Sequence, residues 1–152
     1  TQVMGGVSGH AGLFSTVNDM AIFAQMLLNR GEWKGKRILK EATIQTMLTP
    51  QLPGKPLLNS AGRKQLLGWW GMDDKASITD IGGLPSLSCF CHTGFTGTAI
   101  AIDPEHKTAA ILLNNAVHPK RGDADRTAVR FPFFVNISKA LVGENNVTAQ
   151  ED

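Results

Sequence analysis

Three short apolar runs in the second half of the chain decide most of what it can fold into. Leu87 to His92, Thr98 to Ile102 and Thr108 to Asn114 are short, bounded by turn residues and strand-like in composition. Asp103-Pro104-Glu105-His106 joins the last two with the composition of a type I turn, which predicts an antiparallel hairpin. Thr108 to Leu113 is apolar on both faces, which predicts a central strand covered by helices. Between the first two runs lies Cys91-His92-Thr93-Gly94-Phe95-Thr96-Gly97. A strand that ends on an imidazole, a hydroxyl and two glycines offers a side-chain contact for an anion. It also offers backbone N–H groups to an oxygen where negative charge develops.

The rest of the chain supplies helices to cover such a sheet. Thr16 with Asp19 three residues on makes a capping-box-like start. Met20, Phe23, Ala24, Leu27 and Leu28 follow at helical spacing, predicting a helix from Val17 to Asn29 that Gly31 ends. Trp33 to Arg37 reads as a turn or short strand pair, and Lys40 to Leu48 as a second helix stopped by Pro50. Leu66 to Met72 reads as a strand with Trp69 and Trp70 on opposite faces. Pro132 suits the first turn of a final helix that Phe134, Ile137 and Leu141 dock onto the sheet. Residues 1–14, 50–62 and 73–86 read as loops. The expected class is α/β in the broad sense, narrowly α+β: one antiparallel sheet flanked by helices. Residues 1–65 form its helical and loop part, 66–143 its strands and last helix, and 144–152 a frayed tail.

At 152 residues, 42% apolar and 18% charged, the chain fits a globular domain with a sizeable core. Its net charge of +2 is too slight to argue for a nucleic-acid partner or a membrane surface, and no apolar run approaches a membrane span. Cys89 and Cys91 are expected on opposite strand faces as unbridged, half-buried thiols. No second ligand pair joins them and His92, so neither a metal nor another cofactor is expected. Gly6-Val7-Ser8-Gly9-His10 departs from a Gly-x-Ser-x-Gly elbow at its fifth position and follows no strand, so Ser8 reads as a loop serine and His10 as structural. His106 and His118 are expected in solvent. Lys120, Arg121, Arg126 and Arg130 read as a solvated face, or else as a cleft rim that attracts anionic substrates.

His92-Thr93-Gly94 resembles the Lys/His-Thr/Ser-Gly box of the penicillin-recognising serine hydrolases, the β-lactamase and D-alanyl-D-alanine peptidase superfamily. Gly12-Leu13-Phe14-Ser15-Thr16 with Asp19, Phe23, Leu27 and Leu28 resembles a helix of its class C β-lactamase-related branch. Leu67-Gly68-Trp69, Ile102-Asp103-Pro104 and Leu112-Leu113-Asn114-Asn115 resemble later elements in the same order. The superfamily's nucleophile box is Ser-x-x-Lys, and no serine here has lysine three residues on; the chain also has no Tyr for the second box. The resemblance therefore implies the C-terminal part of a longer enzyme that works through an acyl-enzyme, with the nucleophile upstream. It implies that His92 and Thr93 contact a substrate carboxylate, that Gly94 lets the ligand lie along the strand, and that the Phe95 N–H is one of two oxyanion donors. His92 in place of lysine is more similar to carboxypeptidase and esterase-like members than to β-lactamases. A non-catalytic ligand-binding remnant is the reading from a different class. The implied partners are a small-molecule or peptide substrate and the N-terminal part of the same protein, in a periplasmic or extracytoplasmic setting. The isolated chain is expected to self-associate through an unpaired strand edge or an uncovered sheet face, most simply as a dimer.

Overall fold

The computed structural model describes residues 5–6, 11–51, 64–72, 84–122 and 125–143. Ser8, His10, most of the loops at 52–63 and 73–83, and the tail after Gly143 lie outside the described residues. Helix α1 (Val17–Leu28) starts where the capping pattern puts it: Thr16 Oγ1 accepts the Asp19 N–H at 3.2 Å, and the Thr16 hydroxyl meets the Asp19 carboxylate at 2.9 Å. The chain then makes a small hairpin, β1 (Glu32–Trp33) and β2 (Lys36–Arg37), and helix α2 (Glu41–Met47). An exposed Arg30–Glu41 pair at 2.8 Å ties the end of α1 to α2 and contributes at most about 1 kcal/mol.

The main sheet is an antiparallel meander, β3 (Lys64–Gln65), β4 (Trp70–Gly71), β5 (Phe90–Thr93), β6 (Ala99–Asp103) and β7 (Thr108–Leu112), paired in chain order. Helix α3 (Arg126–Val142) follows it. Alternation along β6 sorts the core into two layers. Ile100 and Ile102 join Phe90, Trp69, Ala24, Leu27 and Ile44 on the side of α1 and α2. Ala99 and Ala101 join Cys91, Ala110 and Phe134 on the side of α3, where small side chains leave room for a phenylalanine. The structure is thus α+β with helices on both sheet faces, as the sequence led us to expect.

Several local expectations are corrected. β7 is the edge of the described sheet and β6, buried at every position, is interior. The two apolar faces of β7 come from α1 and α3, which both contact it; its flanking strand has no bearing on that pattern. Leu66 to Met72 is not one strand. It holds a hairpin turn closed by the Leu66 N–H donating to the Trp69 carbonyl at 2.9 Å, with Trp69 and Trp70 still on opposite faces. Pro132 lies inside α3, which begins earlier because Asp125 caps it. Cys89 and Cys91 are buried and not in a disulfide, and both join the α3-side cluster, because residues two apart on a strand share a face.

His106 also departs from expectation. Its ring lies on the fully buried carboxylate of Asp103, Nδ1 to Oδ2 at 2.8 Å. Asp103 Oδ1 accepts from the Ser86 hydroxyl at 2.5 Å and from the Glu105 and His106 N–H groups at 3.0 and 3.2 Å. The turn after β6 is therefore pinned from inside by a carboxylate.

Candidate active site

β5 delivers the His-Thr-Gly segment to one end of the sheet, with His92 opposite Ile100 and Thr93 opposite Ala99. Beyond that last pair the Gly94 N–H donates to the Thr98 carbonyl at 2.8 Å and the Gly97 N–H to the Gly94 carbonyl at 3.0 Å, closing a tight turn. Both glycines are needed. A Cβ on Gly94 would overlap Thr98 Oγ1, and Gly97 holds φ at +103° with the Asn114 amide packed where its side chain would be.

A cleft of about 350 Å³ opens beside this turn, lined by Thr93, Gly94, Phe95, Asp125, Thr127 and Arg130. Its far wall is the start of α3, where Asp125 Oδ1 accepts the Thr127 N–H at 2.8 Å and the Thr127 hydroxyl at 2.6 Å. Those two bonds hold the Asp125 carboxyl below its ordinary pKa, with a smaller contribution from Arg130. The cleft therefore carries a hydroxyl, a backbone turn, one fixed carboxylate and one guanidinium. That set suits a polar ligand with an anionic group. Among the described residues, no group of three or more potential metal ligands comes together.

Of the residues singled out from the sequence, Thr93, Gly94 and Phe95 line this cleft together. His92 is adjacent but differently engaged: it is exposed, its ring is stacked on Trp70 at 4.5 Å, and its Nδ1–H donates to the Thr93 carbonyl at 2.9 Å. Arg130, grouped with a basic face in the sequence, is the cation that reaches the cleft. Asp125 and Thr127 went unnoticed, although Asp-x-Thr ahead of an apolar helical run is a capping signal that marks where α3 starts. A larger groove of about 610 Å³ lies between α1, α2 and the β6–β7 turn, and meets β5 at Phe90, the end of that strand opposite the Thr93–Phe95 cleft.

The antiparallel meander with helices on both faces is the architecture of β-lactamase-like proteins. The Beta-lactamase family profile matches residues 1–132, and the chain belongs to that family. It is 36% identical over 115 residues to a protein of Salmonella gallinarum assigned as a D-alanyl-D-alanine carboxypeptidase, covering 76% of this chain and 25% of that protein. The counterpart in Salmonella paratyphi B is 38% identical over 116 residues with the same coverage, so the chain spans a quarter of the length of these relatives. A solved structure assigned as a 6-aminohexanoate-dimer hydrolase from Bacillus anthracis is similar at a TM-score of 0.60 and 25% identity, covering 86% of this chain and 30% of that one. A penicillin-binding protein homologue from Caulobacter crescentus shares the fold at a TM-score of 0.52 and 20% identity, over 76% of this chain and 30% of its own. No helix among the described residues is long and apolar enough to cross a membrane.

Proposed function

We propose that this chain supplies the substrate-binding strand and one oxyanion donor of an extracytoplasmic serine hydrolase that cleaves D-alanyl-D-alanine-like peptides or related small amides and esters through an acyl-enzyme. The observation that carries the proposal is the cleft itself: Thr93, Gly94 and Phe95 on one wall and Arg130 on the other. The curated relatives assigned as carboxypeptidases support the peptide substrate. The Phe95 N–H faces the oxygen of the tetrahedral intermediate, and Thr93 and Arg130 bind the substrate carboxylate. The serine nucleophile and its base lie outside these 152 residues, which hold no Ser-x-x-Lys.

The test uses the intact protein that contains this chain. One fluorescent-penicillin adduct is expected, mapping to a serine outside residues 1–152, together with release of D-alanine from a D-alanyl-D-alanine peptide. An adduct on a serine of this chain, or none at all, overturns the proposal. Faster turnover of a cephalosporin or of a simple ester than of the peptide selects β-lactamase or esterase instead.

Arg130 sharpens this. A guanidinium stays charged throughout the accessible pH range, whereas an ordinary imidazole loses its charge above about pH 6.5. KM for a carboxylate-bearing substrate should therefore stay flat from pH 6 to 9. Arg130→Ala should raise it roughly 10- to 100-fold, the loss expected for one charge-assisted hydrogen bond, while an ester without a carboxylate is unaffected. A KM indifferent to Arg130 would overturn its part in the carboxylate contact and leave that contact to Thr93 and His92.

A further inference from the structure

The turn that carries Phe95 is gripped from outside by the segment that follows β7, at three separate points. The Ala116 N–H donates to the Thr96 carbonyl at 2.7 Å, so the segment is hydrogen-bonded to the apex of the turn. The Asn114 amide sits against Gly97, so close that a Cβ there would come within 2.6 Å of Asn114 Oδ1. That oxygen is buried, and among the described residues it has no hydrogen-bond partner, so its contact with the turn is one of packing against Gly97. Third, the Arg121 guanidinium lies over the Phe95 ring, 4.9 Å from its centroid. Phe95 is 57% exposed, and a guanidinium on an aromatic face helps to hold an exposed ring in one place.

We infer that residues 114–121 form a clasp that fixes the Gly94–Gly97 turn, with Arg121 as its positioning residue. The inference rests on the proposed role of the Phe95 N–H and adds to it the means by which that N–H is aimed. An oxyanion donor helps only if its direction is set before the charge develops, and a glycine-flanked turn has little stiffness of its own. Ring and guanidinium supply that stiffness from the side of the turn. Arg121 is not among the residues that line the cleft and acts on it through Phe95. Its loss should therefore slow the chemical step and leave ground-state binding, carried by Thr93 and Arg130, in place.

The experiment compares Arg121→Ala, Arg121→Lys, Phe95→Leu and the Ala/Leu double variant in the intact protein. Two readouts are taken: amide hydrogen exchange over residues 94–97, and kcat and KM on an activated ester. Arg121→Ala should speed exchange across the turn about threefold or more and lower kcat about three- to fivefold with KM unchanged. Arg121→Lys, which keeps a cation over the ring, should recover most of both. Phe95→Leu should match Arg121→Ala, and the double variant should be no worse than either single one, because both remove the same contact. Unchanged exchange in Arg121→Ala overturns the clasp. So do additive losses in the double variant, or a defect confined to KM. If the wild type turns over no ester or amide, the hydrolase proposal and the kinetic role of Arg121 fall together. The exchange comparison then still decides whether the turn is clasped.

Discussion

Asp103→Ala is expected to lower the stability of the fold by about 3 kcal/mol, since a buried donor left unsatisfied costs about 1–3 kcal/mol and several donors meet this carboxylate. The carboxylate is fully buried at the end of the interior strand, and one of its oxygens takes the Ser86 hydroxyl and two turn N–H groups while the other meets His106. Truncation to alanine leaves all four donors without that acceptor, although the Ser86 hydroxyl keeps Ser88 Oγ at 2.8 Å. Asp103→Asn keeps an acceptor oxygen and should cost less. His106→Ala should cost less again, since the histidine side chain is already 28% exposed. Urea unfolding of the three variants checks the order, and a loss below about 1 kcal/mol for the alanine variant would mean that the turn is held by other contacts.

The same site sets an acid limit. Burial alone would raise the Asp103 pKa, but the hydrogen bonds from Ser86 and His106 outweigh it and hold the carboxyl below its ordinary value. A carboxyl whose folded pKa lies below its unfolded value of about 3.9 stabilises the fold fully above that value, and the contribution is lost as pH falls through the folded pKa. Stability should therefore drop below about pH 4 in the wild type, and the drop should be shallower in Asp103→Asn. Equal acid slopes in the two proteins would place the acid sensitivity elsewhere.

The contrast between what could and could not be read from the sequence has a physical cause. The strands at Phe90–Thr93, Ala99–Asp103 and Thr108–Leu112 were legible because each is an apolar run bounded by turn residues, and α1 because its capping residues precede a helical stripe. The neighbours of β7 were not. Periodicity reports what covers the faces of a strand and says nothing of what lies beside it in the sheet. The expectation for the cysteines failed on the two-residue period of a strand, and that for His106 because a buried acceptor three residues away is invisible to composition. The binding strand was legible because Thr93, Gly94 and Phe95 are consecutive. Arg130, Asp125 and Arg121 join them only once β6, β7 and the following segment have folded back, so in the sequence the two arginines looked like a solvated face and Asp125 carried no site signal.

Gly94→Ala should reduce kcat/KM of the intact protein about 100-fold, the scale on which a displacement of about 1 Å at a catalytic site acts. The added methyl overlaps Thr98 Oγ1, and the two residues are also joined by the Gly94 N–H to Thr98 carbonyl bond at 2.8 Å, so the clash bears directly on the closure of the turn and is expected to displace it. That movement shifts the N–H of Phe95, the next residue in the chain, and narrows the cleft that Gly94 lines. Because the obstruction is a single hydroxyl, a second substitution separates this cause from general damage. Thr98→Ala in the Gly94→Ala background removes the overlapping atom and should restore most of the activity, whereas Thr98→Val keeps an atom of similar size there and should restore none. Thr98→Ala alone should be close to wild type. Wild-type kinetics in Gly94→Ala, or equal recovery with alanine and valine at position 98, would show that the turn is not the element whose geometry the chemistry requires.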